Sequence, residues 1–145
     1  MSVKSMINPE THELLSGTPD MPVIQAVKQL VAKHQNAMVV LNNGGALAGI
    51  LTDHDVMRAL SYNNGQLGDE KISRWMSDKV ITCDTGSRLT DAIYLMGRHK
   101  IRHLVAMEGD KPVAVIGIRA LLAKIHENDE MEINVLRDMA VARIA

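Results

Sequence analysis

The sequence predicts a mixed α/β fold, of the α+β type, built from two copies of one small unit, and three observations carry that expectation. Thr18 to Val40 and Asp84 to Ala106 align at a shift of 66 residues, so that Val23-Ile24-Gln25-Ala26-Val27 matches Leu89-Thr90-Asp91-Ala92-Ile93 and Ala37-Met38-Val39-Val40 matches His103-Leu104-Val105-Ala106. Past the hairpin turn the shift becomes 65, because Glu108-Gly109-Asp110 is one residue shorter than Asn42 to Gly45, and Ala46 to Met57 then faces Lys111 to Leu122. Within each copy the apolar period changes between helical and strand-like in one order, β-α-β-β-α.

In the first copy Pro22 fixes a helix start, and Val23, Ala26, Val27, Leu30 and Val31 recur at helical spacing through Lys33. Strands are expected at 37–41 and 46–51, where the near-continuous aliphatic run from Ala46 to Leu51 suits a strand buried on both faces. Thr52 and Asp53 are suited to cap the helix that follows, through Leu60. Ser61 to Lys71, with Asn63-Asn64-Gly65 and Gly68, reads as a connection, and Ile72 to Met76 leads into the second copy. There Val80-Ile81-Thr82 is expected as a short strand. Leu89, Ala92, Ile93 and Met96 line a helix ending near His99, and His103 to Met107 with Val113 to Ile116 form the hairpin. The expected division is 1–62 for the first unit, 63–75 for the linker, 76–127 for the second unit and 128–145 for a helical tail. From Ile118 onward Leu121, Leu122, Ile125, Ile133, Leu136 and Ala140 form an apolar stripe that needs a cover.

Composition narrows the function classes. The chain has 145 residues, 46% of them hydrophobic, enough for a full core. Sixteen basic residues against 17 acidic ones, no Phe, one Trp and two Tyr give neither the charge nor the stacking surface expected of a nucleic-acid binder. A single cysteine, Cys83, allows no intrachain disulfide and suits a reducing setting. The first residues lack a signal-peptide core, and no apolar run approaches a bilayer span, so a cytoplasmic protein that stays off the membrane is expected.

The chemistry gathers at Gly45 to Asp55, GALAGILTDHD, an apolar strand running into a helix start. Free backbone N–H groups and the positive helix end favour an anion there, and a carboxylate one turn in can accept hydrogen bonds from a sugar diol. Thr52 would then serve a phosphate and Asp55 a ribose. Asp53-His54-Asp55 has no nucleophile elbow or phosphate-binding Gly-rich loop beside it, so an enzyme is not expected and capping explains the cluster. His99 and His103 stand four apart, but the helix ends between them, so no metal site is expected.

The repeat, the motif G-x-L-x-G-I-L-T-x-x-D at Gly45 to Asp55, Ile101-Arg102-His103-Leu104-Val105, and Trp75-Met76 ahead of Val80-Ile81 together resemble a CBS domain pair, or Bateman module, over roughly residues 3–127. The resemblance implies two CBS units packed pseudo-symmetrically through their sheets, a cleft with two adenosyl-ligand sites, and pairing of modules into disc-shaped homodimers. It implies a regulatory role without a catalytic cofactor: sensing AMP, ADP, ATP, NAD or S-adenosylmethionine and signalling to a partner protein. On the family pattern Thr52 and Asp55 are the phosphate and ribose contacts, with Asp53 between them. Arg102 and His103 lie within reach of phosphates, and Leu14, Leu15, Ser16 and Gly17 lie beside the adenine. The second unit departs from the pattern, because Gly117 stands at the place of Thr52 and Ala120 at that of Asp55. The rival expectation is a ligand-free dimerising adaptor whose site is vestigial.

Overall fold

The computed structural model describes residues 1–8, 10 and 13–144, apart from the side chains at 132 and 142–144. The first unit contains β1 (Ser16–Gly17), α1 (Val23–Ala32), β2 (Ala37–Leu41), β3 (Leu47–Thr52) and α2 (Asp53–Tyr62). A short α3 (Ile72–Trp75) precedes the second unit, which contains β4 (Thr82–Asp84), α4 (Leu89–His99), β5 (His103–Glu108), β6 (Lys111–Gly117) and α5 (Ile118–Ile144). The sheets have strand orders β1-β2-β3 and β4-β5-β6, each with a parallel first pair and an antiparallel hairpin.

Alternation along the central strands explains the architecture. In β2, Met38 and Val40 enter the core under α1 and α2, while Ala37 and Val39 point the other way. In β5, Leu104 and Ala106 enter the second unit's core and Val105 points the other way. The outward-pointing sets meet, so Ala37, Val39, Ile50 and Val105 form a third core between the two sheets, flanked by Leu14, Leu41, Leu47, Val80, Met107 and Val115. Val39 and Val105 are fully buried. Burying an aliphatic side chain of this size contributes ~1.5–3 kcal/mol, so the interface between the units is a core in its own right.

Each core is completed by a segment from outside its own repeat. A 3₁₀ turn at Val3–Met6 lies on the second unit: the N–H groups of Val3 and Lys4 donate to the carbonyls of Ser87 and Thr85 at 2.8 and 2.9 Å, and Val3 is fully buried in that core. Ile72 and Trp75, with Leu67 beside them, are packed into the core of the first unit, although they fall in the stretch expected to be linker. The first strand of the second unit also differs from expectation, running over Thr82–Asp84 rather than 80–82. Parallel pairing begins at Thr82 with Val105, the Ile81 carbonyl accepting the Val105 N–H at 3.2 Å; Val80 packs on the intersheet core, Ile81 on the second unit's core, and both line a cleft described below. The tail is helical and continuous with the second unit. In α5, Leu121 and Ile125 pack on the core, whereas Leu122, Met131, Ile133, Val135, Leu136, Met139 and Val141 are exposed.

Gly49 lets the linker close on β3. Ile50 and Ser77 exchange two backbone hydrogen bonds, each 2.9 Å, and a Cβ at Gly49 would lie 2.7 Å from both the Ser77 carbonyl oxygen and the Met76 sulfur. Overpacking of this kind costs about 1–3 kcal/mol. Gly49→Ala should therefore lower the melting temperature by roughly 3–12 °C for a chain of this size. An unchanged melting curve would show that the linker does not rely on this approach.

Candidate functional site

The site forms where β3 ends. Thr52 is the N-cap of α2, with extended backbone at φ −116° and ψ 168°, and Asp55 lies one turn in. The Thr52 N–H donates to Asp55 Oδ2 at 2.9 Å, the Thr52 hydroxyl donates to the same oxygen at 3.2 Å, and Arg58 Nη1 donates to Oδ1 at 3.0 Å. These bonds allow a carboxylate that is only 7% exposed to remain in place.

In front of this helix start is a cleft of about 410 Å³, a size that suits a small ligand. Thr52, Asp53, His54 and Asp55 form one wall, and the other comes from the second unit and its lead-in: Ser77, Lys79, Val80, Ile81 and the run Lys100 to His103. The structure thus brings five of the sequence-expected residues, Thr52, Asp53, Asp55, Arg102 and His103, to one cavity although they come from different repeats. It does not bring Leu15, Ser16 or Gly17 there. Leu14 and Leu15 line a smaller pocket with Ala37 and Val115, Ser16 is exposed, and Gly17 is buried against Met21, Met38 and Ile72.

Val80 and Ile81 occupy the position at the cleft that was expected for Leu14 and Leu15. They are the same residues of the repeat, shifted by 66, but on the facing unit. The signal that could have found them was the repeat itself, once the sheets are known to face each other. Lys79 and Lys100 were also missed, and with Arg102 they give the cleft three exposed cations. Lys100 lies in the left-handed region at φ 53° and caps α4 through bonds to the Gly97 and Met96 carbonyls. His34, its counterpart in the first repeat, adopts φ 54°, so this backbone belongs to the unit rather than to one site.

Arg102 and His103 stand at the entry to β5. The His103 Nε2–H donates to Asn36 Oδ1 at 3.1 Å across the unit boundary, since an amide oxygen can only accept. Burial holds the His103 imidazole below its ordinary value, opposed by Asp53 and reinforced by Arg102. His99 is exposed at the end of α4, and among the described residues no three metal-ligating groups cluster.

Two repeated β-α-β-β-α units packed through their sheets, with a composite cleft at the start of α2, define a paired-domain module. The CBS domain model matches residues 5–62 and again 71–127, and the chain belongs to the CBS-domain family. An uncharacterized protein of Methanocaldococcus jannaschii is 30% identical over 107 residues, 73% of this chain and 25% of that protein. The chain spans between 25% and 75% of the length of the first three curated relatives it matches. Among solved structures, the CBS domain pair of protein MJ0100, in complex with 5′-methylthioadenosine and S-adenosylmethionine, superposes with a TM-score of 0.78 at 18% identity, over 88% of this chain and 98% of that one. The structure of CBSX2 in complex with AMP gives 0.70 at 16% identity, over 88% and 98%. At these identities the likeness shows the fold. No helix among the described residues is long and apolar enough to cross a membrane.

The lowered His103 value has a definite consequence for stability. The unfolded chain takes up this proton at the ordinary value near 6.5, before the folded chain does. Stability associated with His103 is therefore complete above pH 6.5 and is lost as the pH falls through the lower folded value. His103→Gln keeps a donor for Asn36 but cannot titrate, so between pH 7.5 and 5.5 its melting temperature should fall by less than that of the unmodified protein. Equal falls in the two proteins would remove His103 as a source of acid sensitivity.

Proposed function

We propose that this chain is a regulatory module that binds one adenine mononucleotide in the cleft at Thr52 and Asp55 and signals its occupancy to a partner protein. One observation carries this reading: the cleft combines a buried carboxylate at a helix start with three cations, Lys79, Lys100 and Arg102, supplied by the facing unit and its lead-in. The carboxylate suits a ribose diol. The helix start and the cations suit phosphates, and Arg102 can hold two phosphate oxygens at once. Such a rim favours AMP, ADP or ATP over S-adenosylmethionine, whose sulfonium is positive, and over NAD, which must place a second nucleoside. Support for an adenosyl ligand also comes from the neighbours solved with AMP, S-adenosylmethionine and 5′-methylthioadenosine. Nothing in the cleft calls for bond-making chemistry, and the role we assign is sensing in the cytoplasm.

The pseudo-equivalent cleft, about 390 Å³, is lined by Asn36, Arg102, His103, Gly117, Arg119 and Ala120 among others. Gly117 and Ala120 stand there at the places of Thr52 and Asp55, and the one carboxylate in its lining is Asp53, which comes from the first unit and also lines the first cleft, so we assign one ligand per chain. Exposed Ile24 and Val31 on α1, Met57 and Tyr62 on α2, and the apolar side chains of α5 support a homodimer as the working unit.

A second reading is favoured by the same carboxylate. Asp55 is already bonded to Thr52 and Arg58, as a purely structural cap would be, and a dimerising adaptor with an empty cleft is consistent with that.

Calorimetry with AMP, ADP, ATP, NAD and S-adenosylmethionine separates the two. One adenine nucleotide should bind per chain, and Arg102→Ala should weaken ATP more than AMP by about tenfold, the scale of one charge-assisted bond. Gly117→Thr with Ala120→Asp should create a second, weaker site, since a Cβ at Gly117 meets nothing closer than His103 Cδ2 at 3.9 Å. S-adenosylmethionine binding more tightly than every nucleotide would overturn the phosphate assignment. An absence of heat with all five would leave the adaptor.

A further inference from the structure

Arg58 does not line the cleft, yet it holds one of the two carboxylate oxygens of Asp55, which does. Its Nη1 donates to Asp55 Oδ1 at 3.0 Å, and its guanidinium carbon lies 5.6 Å from the centre of the Trp75 ring. Trp75 is 8% exposed and closely held. Its indole N–H donates to Glu70 Oε2 at 2.8 Å, Arg74 donates to the other Glu70 oxygen at 2.7 Å, and the Arg74 guanidinium stacks 5.2 Å from the same indole. Tyr62 closes the group edge-on at 5.8 Å. Two residues after Trp75, Ser77 is bonded in both directions to Ile50, and the chain continues through Lys79, Val80 and Ile81 as the far wall of the cleft.

Counting acceptor positions shows where a sugar hydroxyl must arrive. An ionised carboxylate offers about four. Asp55 Oδ2 accepts two donors from Thr52, and Oδ1 accepts one from Arg58. The vacant position is therefore on Oδ1, the oxygen that Arg58 already holds. We propose that Arg58 is the positioning residue of this site, orienting Asp55 for a ribose diol and passing the occupancy of Asp55 to Trp75 and the linker. The proposal rests on the nucleotide reading and adds its regulation. When a ribose hydroxyl bonds Oδ1, it shares the charge that Arg58 had to itself, and the guanidinium shifts toward the indole face, where a cation is also attracted. A ligand without the diol leaves the Asp55–Arg58 pair as it is.

Trp75 is the one tryptophan in the chain, so its emission reports this event directly. The experiment titrates AMP and 2′,3′-dideoxyadenosine monophosphate into the full chain, following heat and Trp75 emission in parallel, for the unmodified protein, Arg58→Met and Arg58→Lys. The Arg58 side chain is half exposed, and Met keeps an apolar stem over the ring, so both variants are expected to fold. AMP should bind and change the emission. The dideoxy compound should bind roughly ten- to a hundredfold more weakly and leave the emission unchanged at saturation. Arg58→Met should bind AMP several-fold more weakly, discriminate less between the two ligands and give no emission response. Arg58→Lys, which keeps the charge but not the planar stack, should recover the discrimination. Equal emission responses to the two nucleotides, a response retained in Arg58→Met, or heat from AMP binding without any response would overturn the inference while leaving the nucleotide site standing. An absence of heat from both nucleotides would overturn both.

Discussion

The packing of the two sheets through Val39 and Val105 is the constraint on which the rest of the molecule depends. A three-stranded sheet with helices on one side leaves its other face apolar. Here Ala37, Val39, Ile50 and Val105 show that each unit covers that face with its twin. Among the described residues neither unit has a second helical layer to do so instead. Once the sheets face each other, the entry of β5 is carried to the start of α2, and the cleft follows from geometry. Thr52 and Asp55 come from one repeat and Arg102 and His103 from the other because the core, not the chain order, decides who is a neighbour. Removing the intersheet core would remove the site even if every lining residue were kept.

Asp55 is both a helix-cap acceptor and a carboxylate in the lining of the cleft. As the third residue of α2 it accepts the otherwise free N–H of the cap, which any helix start requires. As a buried carboxylate at a cleft it presents an acceptor to whatever enters. The two roles are compatible because a carboxylate has more acceptor positions than the cap uses. They are also inseparable, since replacing Asp55 by Ala removes the cap bond, the Arg58 pair and the candidate ligand contact together. A helix-forming side chain at that position would not compensate, and loss of binding in such a variant would carry less information than a change at Arg58, which touches Asp55 alone among the cleft residues discussed.

Much of the fold was legible because it repeats. Helical spacing marked α1 and α4, and the Asn42 to Gly45 turn marked the first hairpin, each within a residue or two of its observed end. The motif at Gly45 to Asp55 located one wall of the candidate cleft. The other wall was harder for a physical reason: periodicity reports which face of an element is buried, not which other element buries it. Leu15 and Ile81 carry the same pattern at equivalent places, and only the face-to-face arrangement sends Ile81 to the Thr52 cleft and Leu15 elsewhere. The N-terminal turn and α3 were illegible in the same sense. Val3 and Ile72 are ordinary apolar residues in short segments, and nothing local indicates that the first joins the second core and the second joins the first.

This exchange of segments bears on how occupancy could be read. If each unit were self-contained, a ligand in the cleft could act on the chain only by changing the angle between two rigid bodies. The linker here is not outside the units. It is fixed at one end in the first core by Ile72 and Trp75, tied to β3 through Ser77 and Ile50, and forms the cleft wall at Val80 and Ile81 before entering the second sheet. A ligand that presses on this wall therefore acts on a segment already coupled to both cores. Gly49 permits that coupling by keeping the backbones close. The asymmetry of the two clefts then has a structural counterpart, because the cleft that retains its polar anchors is the one walled by the linker. Its pseudo-equivalent shares Asp53, Arg102 and His103 but is otherwise bounded by Gln35, Asn36 and the start of α5, where Gly117 and Ala120 take the places of Thr52 and Asp55.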